Sequence, residues 1–273
     1  MRTLTTMILC AFLALFILSA CSDDTVKDTE NVPASTAPAE SAPESAETEN
    51  NEAESEELTE STEPEDAQLS ENGTLGYITD GENLIRLRMQ TIMQESIGMY
   101  YGCEAVSLSI ALQYYGFNID PVTLFTEHMK SGPVGKVNPF YVYVGDPRDS
   151  SGYGCYAPCA VRCVNGYLES VGSDLRAKDI SGSSMEEIKE YLWQGKPVVI
   201  WGTLGMKESD VLSRWYFGGN PVYWYRLSHC VVLSGIYRDR FFVCDPMEGS
   251  VNYLQGDVER SYNQIYTQAL VIE

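Results

Sequence analysis

The stretch from Cys103 to Tyr115 carries apolar residues around its circumference, and this constrains the fold more than any other part of the sequence. The apolar residues cover more than one helical face, which is typical of a buried helix and not of a surface helix. Gly102 stands before the stretch, and Gly116 is placed to end it. We therefore expect a buried helix that needs packing partners on several sides.

Cys103 opens this predicted helix, and its position favours reactivity. A thiol at a helix N-terminus meets the positive end of the helix dipole and free backbone N–H groups, and both favour the nucleophilic thiolate. His229, one of only two histidines, and Asp245 follow far downstream. Cysteine, histidine and carboxylate in this order indicate a cysteine peptidase, in which the histidine takes the thiol proton and the carboxylate orients the imidazole.

The same chemistry needs hydrogen-bond donors for the oxyanion that forms when a thiolate attacks a carbonyl carbon. The backbone N–H of Cys103 is one candidate, and the side-chain amide of Gln94, nine residues upstream, is the other. His229 would then protonate the leaving amine, and water would release the acyl group. The sequence therefore assigns catalytic roles to Cys103, His229, Asp245 and Gln94.

Residues 1–20 have the pattern of a secretion signal. Arg2 precedes an apolar run over residues 7–18, which is too short to span a membrane comfortably. The motif Leu18-Ser19-Ala20-Cys21 resembles the lipobox of bacterial lipoproteins, which implies cleavage before Cys21 and acylation of its thiol, for example with palmitate. We expect a lipid anchor at the extracytoplasmic face of the cell membrane; a soluble secreted protein is the alternative.

Residues 21–72 form an acidic segment that cannot build a core. Residues 22–70 hold 16 acidic residues, one basic residue and no aromatic residue. Such a segment buries too little apolar surface to offset the entropy of ordering, and its like charges extend it. We expect a disordered tether over 21–72 and one folded domain over 73–273. Residues 71–273 have a net charge of about −7, which gives no basic surface for nucleic acid.

Within the folded part, helix signals come first and strand signals later. Residues 157–171 predict a helix, and Ser184 with Glu187 predicts a capping box on another helix over Met185–Gln194. Short apolar runs predict strands at Val198–Trp201, His229–Tyr237, Phe241–Asp245 and Ala269–Ile272. Helices followed by strands favour the α+β class, with helices packed on an antiparallel sheet.

The strands that carry His229 and Asp245 predict how these side chains meet. A hairpin that sets residue 229 opposite residue 245 brings both side chains to one face, close enough for a hydrogen bond. The same register sets Cys230 opposite Cys244 behind the site. There the two thiols either form a disulfide or pack as small apolar groups.

Three further cysteines, Cys155, Cys159 and Cys163, lie four residues apart on one face of a predicted helix. This spacing differs from the two-residue gaps of zinc and iron–sulfur sites, so we expect a packed helix face and neither metal nor cofactor. The aromatic residues between 215 and 225 either wall a substrate groove or pack in the core. His128 lies in a polar stretch and is expected to be solvated.

Several segments resemble the bacteriocin-processing (double-glycine) peptidases, the thirty-ninth family of cysteine peptidases, and particularly their stand-alone branch. They cover roughly residues 88–250 and are Gln94 with Gly102–Ser107, Tyr114–Gly116, Phe140–Pro147, Gly152–Pro158, His229–Gly235 and Asp245-Pro246. The resemblance implies a papain-like fold with Cys103 as nucleophile, His229 as base, Asp245 as orienting carboxylate and Gln94 in the oxyanion hole. The sequence has no sign of the membrane-spanning and ATP-binding parts of the transporter-linked branch, so a double-glycine leader is not implied as the substrate.

We therefore expect a lipid-anchored cysteine peptidase that hydrolyses peptide or protein substrates without a cofactor. Two alternatives use the same fold, a thiol-dependent amidase or acyltransferase on cell-wall peptides and a peptide-binding module without turnover. The intact set of Cys103, His229 and Asp245 argues against the binding module.

Overall fold

A computed structural model describes the backbone of residues 67–69 and the whole of residues 76–273. The predicted signal sequence, the predicted lipidation site Cys21 and most of the predicted tether lie outside the described residues. Residues 67–69 fall within the predicted tether and form a short strand, directly after Asp66. Among the described residues, no helix has the length and apolar character needed to cross a bilayer.

The described chain forms short strands and helices in an order that begins and ends with a strand. The elements are β1 (Ala67–Leu69), β2 (Gly76–Thr79), β3 (Leu84–Leu87), α1 (Cys103–Tyr114), α2 (Pro121–Thr123), β4 (Ser131–Gly132), β5 (Tyr143–Val144), α3 (Ala157–Ser170), β6 (Ala177–Asp179), α4 (Met185–Trp193), β7 (Val198–Thr203), β8 (Val211–Phe217), β9 (Asn220–Tyr225), β10 (Ser228–Tyr237), β11 (Arg240–Asp245), β12 (Gly249–Leu254), α5 (Gln255–Gln264) and β13 (Ala269–Ile272). The predicted helices and strands correspond to α1, α3, α4, β7, β10, β11 and β13, and the predicted capping box on α4 is present.

The main sheet has nine strands, and every pairing within it is antiparallel. Its path runs β1-β2-β3-β10-β7-β13-β6, and β11 and β12 continue from β10. Strand β10 is the branch point, because its first half pairs with β7 and its last residues pair with β3. A Cβ at Gly235 would lie 2.2 Å from the carbonyl oxygen of Ile85, so glycine is what allows β3 to approach there.

Helices cover both faces of this sheet. Trp201 and Cys230 belong to a core cluster with α1 and α3, whereas their neighbours Ile200 and Val231 belong to a second cluster with α4 and α5. Successive residues of a strand point to opposite faces of the sheet, so alternate residues of one buried strand pack in two different core clusters. The mixture of helices and antiparallel sheet confirms the predicted α+β class.

Helix α1 is enclosed as its sequence predicts. Eleven of its twelve residues are buried, and Gln113 is the exception. It packs against β10, β7, α2 and α3, so no face is left to water. This enclosure fixes the position of its first residue, Cys103.

The register between β10 and β11 differs from the prediction. Val232, and not Cys230, lies opposite Cys244. A two-residue turn pairs Tyr237 with Arg240, and this pairing sets the register of the hairpin. The bulge before Gly235 shifts the register by one residue towards the predicted one, which is too little to place Cys230 opposite Cys244.

The predicted placement of Cys230 and Cys244 behind the site is therefore wrong. Both thiols are free and lie in the same core cluster as Cys103, on the sheet face that α1 covers.

Strands β8 and β9 form a separate hairpin that the sequence analysis did not predict. Core packing, one of the two expectations for its aromatic residues, holds for two tryptophans. Trp215 and Trp224 are buried in the core cluster of α1 and α3, whereas Tyr216 and Phe217 are exposed on the outer side.

Candidate active site

His229 and Asp245 form a buried hydrogen-bonded pair at one end of the sheet. His229 Nε2 and Asp245 Oδ1 are 2.7 Å apart, and the two side chains are 3% and 0% exposed. When the observed register is extended by one residue, Val231 lies opposite Asp245, so His229 is its diagonal neighbour on the same face. The structure thus brings the two residues together as expected, although by a different register.

The loop after β11 holds the Asp245 carboxylate in place. Oδ1 also accepts hydrogen bonds from the backbone N–H groups of Met247 at 2.8 Å and Glu248 at 3.2 Å. Burial on its own would raise the pKa of Asp245, but the hydrogen bonds from His229, Met247 and Glu248 outweigh it and hold the pKa below its usual value. Asp245 is therefore a fixed acceptor for the imidazole N–H.

Cys103 is the first residue of α1, directly after the N-cap residue Gly102. Its thiol donates a hydrogen bond to Glu104 Oε2 at 3.4 Å. Burial is the larger cause and the nearby Glu104 carboxylate is the second cause that raises the pKa of the Cys103 thiol well above its usual value. Desolvation and this like charge therefore oppose the effect that the helix end has on the thiol.

The N-terminal end of α1 lies against the start of β10. One turn after Cys103, the Ser107 hydroxyl donates to the carbonyl oxygen of Cys230 at 2.9 Å, and Cys230 is the residue directly after His229. Within residues 76–273, however, no hydrogen bond joins the Cys103 thiol to the His229 ring. The thiol is bonded to Glu104 instead.

Gln94 connects the end of β11 to the start of α1. Its backbone N–H donates to the carbonyl oxygen of Pro246 at 2.9 Å, and its side-chain Nε2 donates to the carbonyl oxygen of Tyr100 at 2.8 Å. The side chain is buried, and its Oε1 has no hydrogen-bond partner within the described chain. One hydrogen of Nε2 is left for another acceptor, as a donor to an oxyanion requires.

The backbone N–H of Cys103 is the other predicted oxyanion donor. It stands at the first position of the helix, where no intrahelical partner exists. Among the described residues it donates to no protein acceptor. The four predicted catalytic residues are therefore linked around one end of the sheet, through Pro246, Cys230 and the loop from Gln94 to Gly102.

Glu104 is the polar residue of this region that the sequence analysis missed. It is 1% exposed, and its Oε1 accepts a hydrogen bond from the backbone N–H of Cys155 at 3.0 Å. Burial raises the pKa of Glu104 to about 7. A usable signal was present in the sequence, because a carboxyl group inside a helix that is buried on every face needs a specific partner.

Cys159 and Cys163 pack on α3 as predicted, whereas Cys155 lies two residues before that helix and not on its face. Cys155, Cys159 and Cys163 are buried in the core cluster of α1 and α3. No group of three residues able to ligate a metal occurs in the part of the chain that was searched. His128 was expected to be solvated, but it is half-buried with its ring 5.4 Å from the ring of Tyr167 in α3.

Comparisons with known proteins agree with this architecture. The sequence matches the family described as "Peptidase_C39 like family" over residues 86–270. The uncharacterized protein YvpB of Bacillus subtilis strain 168 is 26% identical over 183 residues, which are 64% of this chain and 70% of YvpB. The crystal structure of a C39-like peptidase from Bacillus anthracis matches with a TM-score of 0.60 and 26% identity, and the match covers 68% of this chain and 98% of that one. The last match confirms the predicted fold.

Proposed function

Because this chain belongs to the Peptidase_C39 like family, we propose that it is a cysteine peptidase with Cys103 as nucleophile, His229 as base and Asp245 as orienting carboxylate. Family membership supports a peptidase-type function in general, and the residue roles are our inference. The observation that carries them is the buried His229–Asp245 hydrogen bond at the end of the sheet where the helix of Cys103 begins.

The proton transfer follows from the tautomer that Asp245 selects. Because Asp245 Oδ1 accepts the Nε2–H of His229, Nδ1 is left as the basic nitrogen. The Cys103 thiol is bonded to Glu104 at rest, so the proposed transfer requires the thiol to leave that hydrogen bond and to reach Nδ1 by rotating about its Cα–Cβ bond. His229 then takes the proton, and a thiolate–imidazolium pair forms.

The thiolate attacks the carbonyl carbon of a peptide bond, and the resulting oxyanion needs two donors. The backbone N–H of Cys103 and the remaining Nε2 hydrogen of Gln94 are suited to this role. His229 protonates the leaving amine, and a water molecule hydrolyses the thioester of Cys103. We further propose a peptide or protein substrate and, from the sequence motif alone, anchoring of the mature protein to the extracytoplasmic face through lipid on Cys21.

The test combines peptide cleavage with thiol reactivity. The purified protein is incubated with a peptide library, and products are identified by mass spectrometry for the wild type and for Cys103→Ser, His229→Ala and Cys159→Ala. We expect cleavage to be lost in the first two variants and retained in Cys159→Ala, the matched buried-cysteine control.

Alkylation by iodoacetamide supplies a readout that needs no substrate. We expect His229→Ala to slow the labelling of Cys103, because the base that removes its proton is gone. Full hydrolysis by Cys103→Ser would contradict the proposal. So would labelling of Cys103 that is as fast without His229 as with it.

A further inference from the structure

Glu104 is a buried carboxyl group that the proposed mechanism does not use. It is the second residue of α1 and is 1% exposed. Within residues 76–273 no lysine, arginine or histidine forms an ion pair or hydrogen bond with it. Isolated buried carboxylates are costly and are normally paired with a cation, so an unpaired one that touches the nucleophile indicates a functional role.

The protein holds this carboxyl group from two sides. Oε2 accepts the thiol hydrogen of Cys103 at 3.4 Å, and Oε1 accepts the backbone N–H of Cys155 at 3.0 Å. The Cys155 carbonyl is in turn fixed by the indole N–H of Trp201 at 2.7 Å. A Cβ at position 154 would lie 2.1 Å from Oε1, so Gly154 provides the space that the carboxyl group occupies. The site is therefore built around Glu104.

The titratable groups around Glu104 carry no positive charge. They come from β5, the segment leading into α3, β10 and α1 itself, and are Tyr143, Cys155, Tyr156, Cys230 and Cys103. Each is neutral when protonated, so none compensates the Glu104 charge. Burial is the main cause that raises the pKa of Glu104 to about 7, against opposing hydrogen bonds from its own backbone, Cys155, Cys103 and Trp201.

We propose that Glu104 is a positioning residue for the nucleophile, which as a carboxylate holds Cys103 in the thiol form and as a neutral acid supports the thiolate. The inference rests on the function proposed above. Two anions at this separation repel each other strongly, so the thiolate is disfavoured while Glu104 is ionised. When Glu104 takes a proton from solvent, the thiol proton can pass to His229 Nδ1, and the carboxyl O–H can donate to the sulfur anion.

The substitution Glu104→Gln tests this directly, because glutamine keeps the shape and the acceptor for Cys155 but carries no charge. The rate of Cys103 alkylation by iodoacetamide is measured from pH 5 to 10 for the purified wild type, Glu104→Gln and Glu95→Gln. The last variant removes an exposed carboxylate of the nearby loop and controls for general electrostatics.

We expect Glu104→Gln to lower the midpoint of the alkylation profile by about two pH units, the size of a close like-charge effect. At pH 7 this corresponds to labelling about tenfold faster, because the gain in thiolate is partly offset by its lower nucleophilicity. Glu95→Gln should leave the midpoint within about 0.3 units. An unchanged or raised midpoint in folded Glu104→Gln would overturn the proposal, since a purely structural role predicts no downward shift.

A second measurement covers the case in which Glu104→Gln does not fold by circular dichroism. The carboxyl carbon of Glu104 is titrated by NMR in protein labelled with ¹³C-glutamate, for the wild type and for Cys103→Ala. Loss of the thiol donor should raise the Glu104 midpoint, and equal midpoints would overturn the proposal. If Glu104→Gln shifts the alkylation profile while His229→Ala does not slow it, the peptidase mechanism fails and the effect of Glu104 on the thiol stands.

Discussion

Replacing Asp245 by asparagine should destabilise the protein by an amount that depends on pH. The fully buried Oδ1 accepts three N–H groups, from His229 at 2.7 Å, Met247 at 2.8 Å and Glu248 at 3.2 Å. Asparagine offers the same acceptor geometry without the negative charge. The substitution therefore removes charge assistance from three hydrogen bonds and leaves the backbone path unchanged.

The magnitude follows from those three bonds. A hydrogen bond to a charged group contributes about 1 kcal/mol more than a neutral one, so the loss is about 3 kcal/mol in total. Asparagine avoids the cost of burying an ion, but its amide would replace Oδ2, which has no partner within the described chain, and would bury an unsatisfied donor at a similar cost. The net expectation is a free energy of unfolding that is about 3 kcal/mol lower at pH 7.

Urea unfolding followed by circular dichroism measures this difference. For a domain of this size, about 3 kcal/mol corresponds to a midpoint about 1 M lower in urea. The folded-state pKa of Asp245 is depressed, so its stabilising contribution is present above the unfolded-state pKa of about 3.9 and is lost as the pH falls through the folded-state pKa. The difference in free energy of unfolding between wild type and Asp245→Asn should thus be largest above about pH 5 and should become smaller towards pH 3.

Asp239→Asn is the matched control. Asp239 is exposed in the turn between β10 and β11, and no side-chain hydrogen bond to it is seen in the described chain, so its substitution should change the free energy of unfolding by less than about 0.5 kcal/mol. Equal urea midpoints for wild type and Asp245→Asn at pH 7 would refute the reasoning. A gap that persists unchanged at pH 3 would also refute it, because the effect would then come from packing and not from charge.

Three further predictions concern the surroundings of the nucleophile. Gly154→Ala should lower the melting temperature and disturb Cys103 reactivity, because its Cβ would collide with Glu104 Oε1; thermal unfolding and iodoacetamide labelling measure the two effects. Trp201→Phe should cost about 1–3 kcal/mol in urea unfolding, because it leaves the buried Cys155 carbonyl without its indole donor. Cys159→Ala should lower stability by about 1 kcal/mol through lost packing and leave the pH profile of Cys103 labelling unchanged.

The parts of the fold that the sequence predicted are those that depend on local signals. The enclosure of α1 and the capping box at Ser184 can both be predicted from residues that lie only a few positions apart in the sequence. Helix α5 was missed because its polar sequence presents only Val258, Ser261 and Tyr262 to the core. The hairpin of β8 and β9 was missed because its aromatic residues were compatible with two environments that only the packed chain distinguishes.

In the candidate site, too, some features were predictable from the sequence and others depend on the packed chain. The proximity of His229 and Asp245 survived a register error, because diagonal neighbours on one sheet face remain within reach when a strand slips by two residues. The raised pKa of the Cys103 thiol did not follow from its place at a helix end, because the burial that mainly causes it depends on elements distant in sequence. The space for the Glu104 carboxyl group requires glycine at position 154, which is 50 positions further along the chain.

Helix α1 lies inside the protein with almost no residue facing water, and this limits which substitutions the protein tolerates. Substitutions along its length alter a packed interior and are paid for in stability, so they are poor starting points for directed evolution. The exposed side chains of Tyr100, Tyr101, Tyr216 and Phe217 lie outside both cores and can be exchanged without repacking either. A library of variants should therefore vary these residues and keep the helix constant.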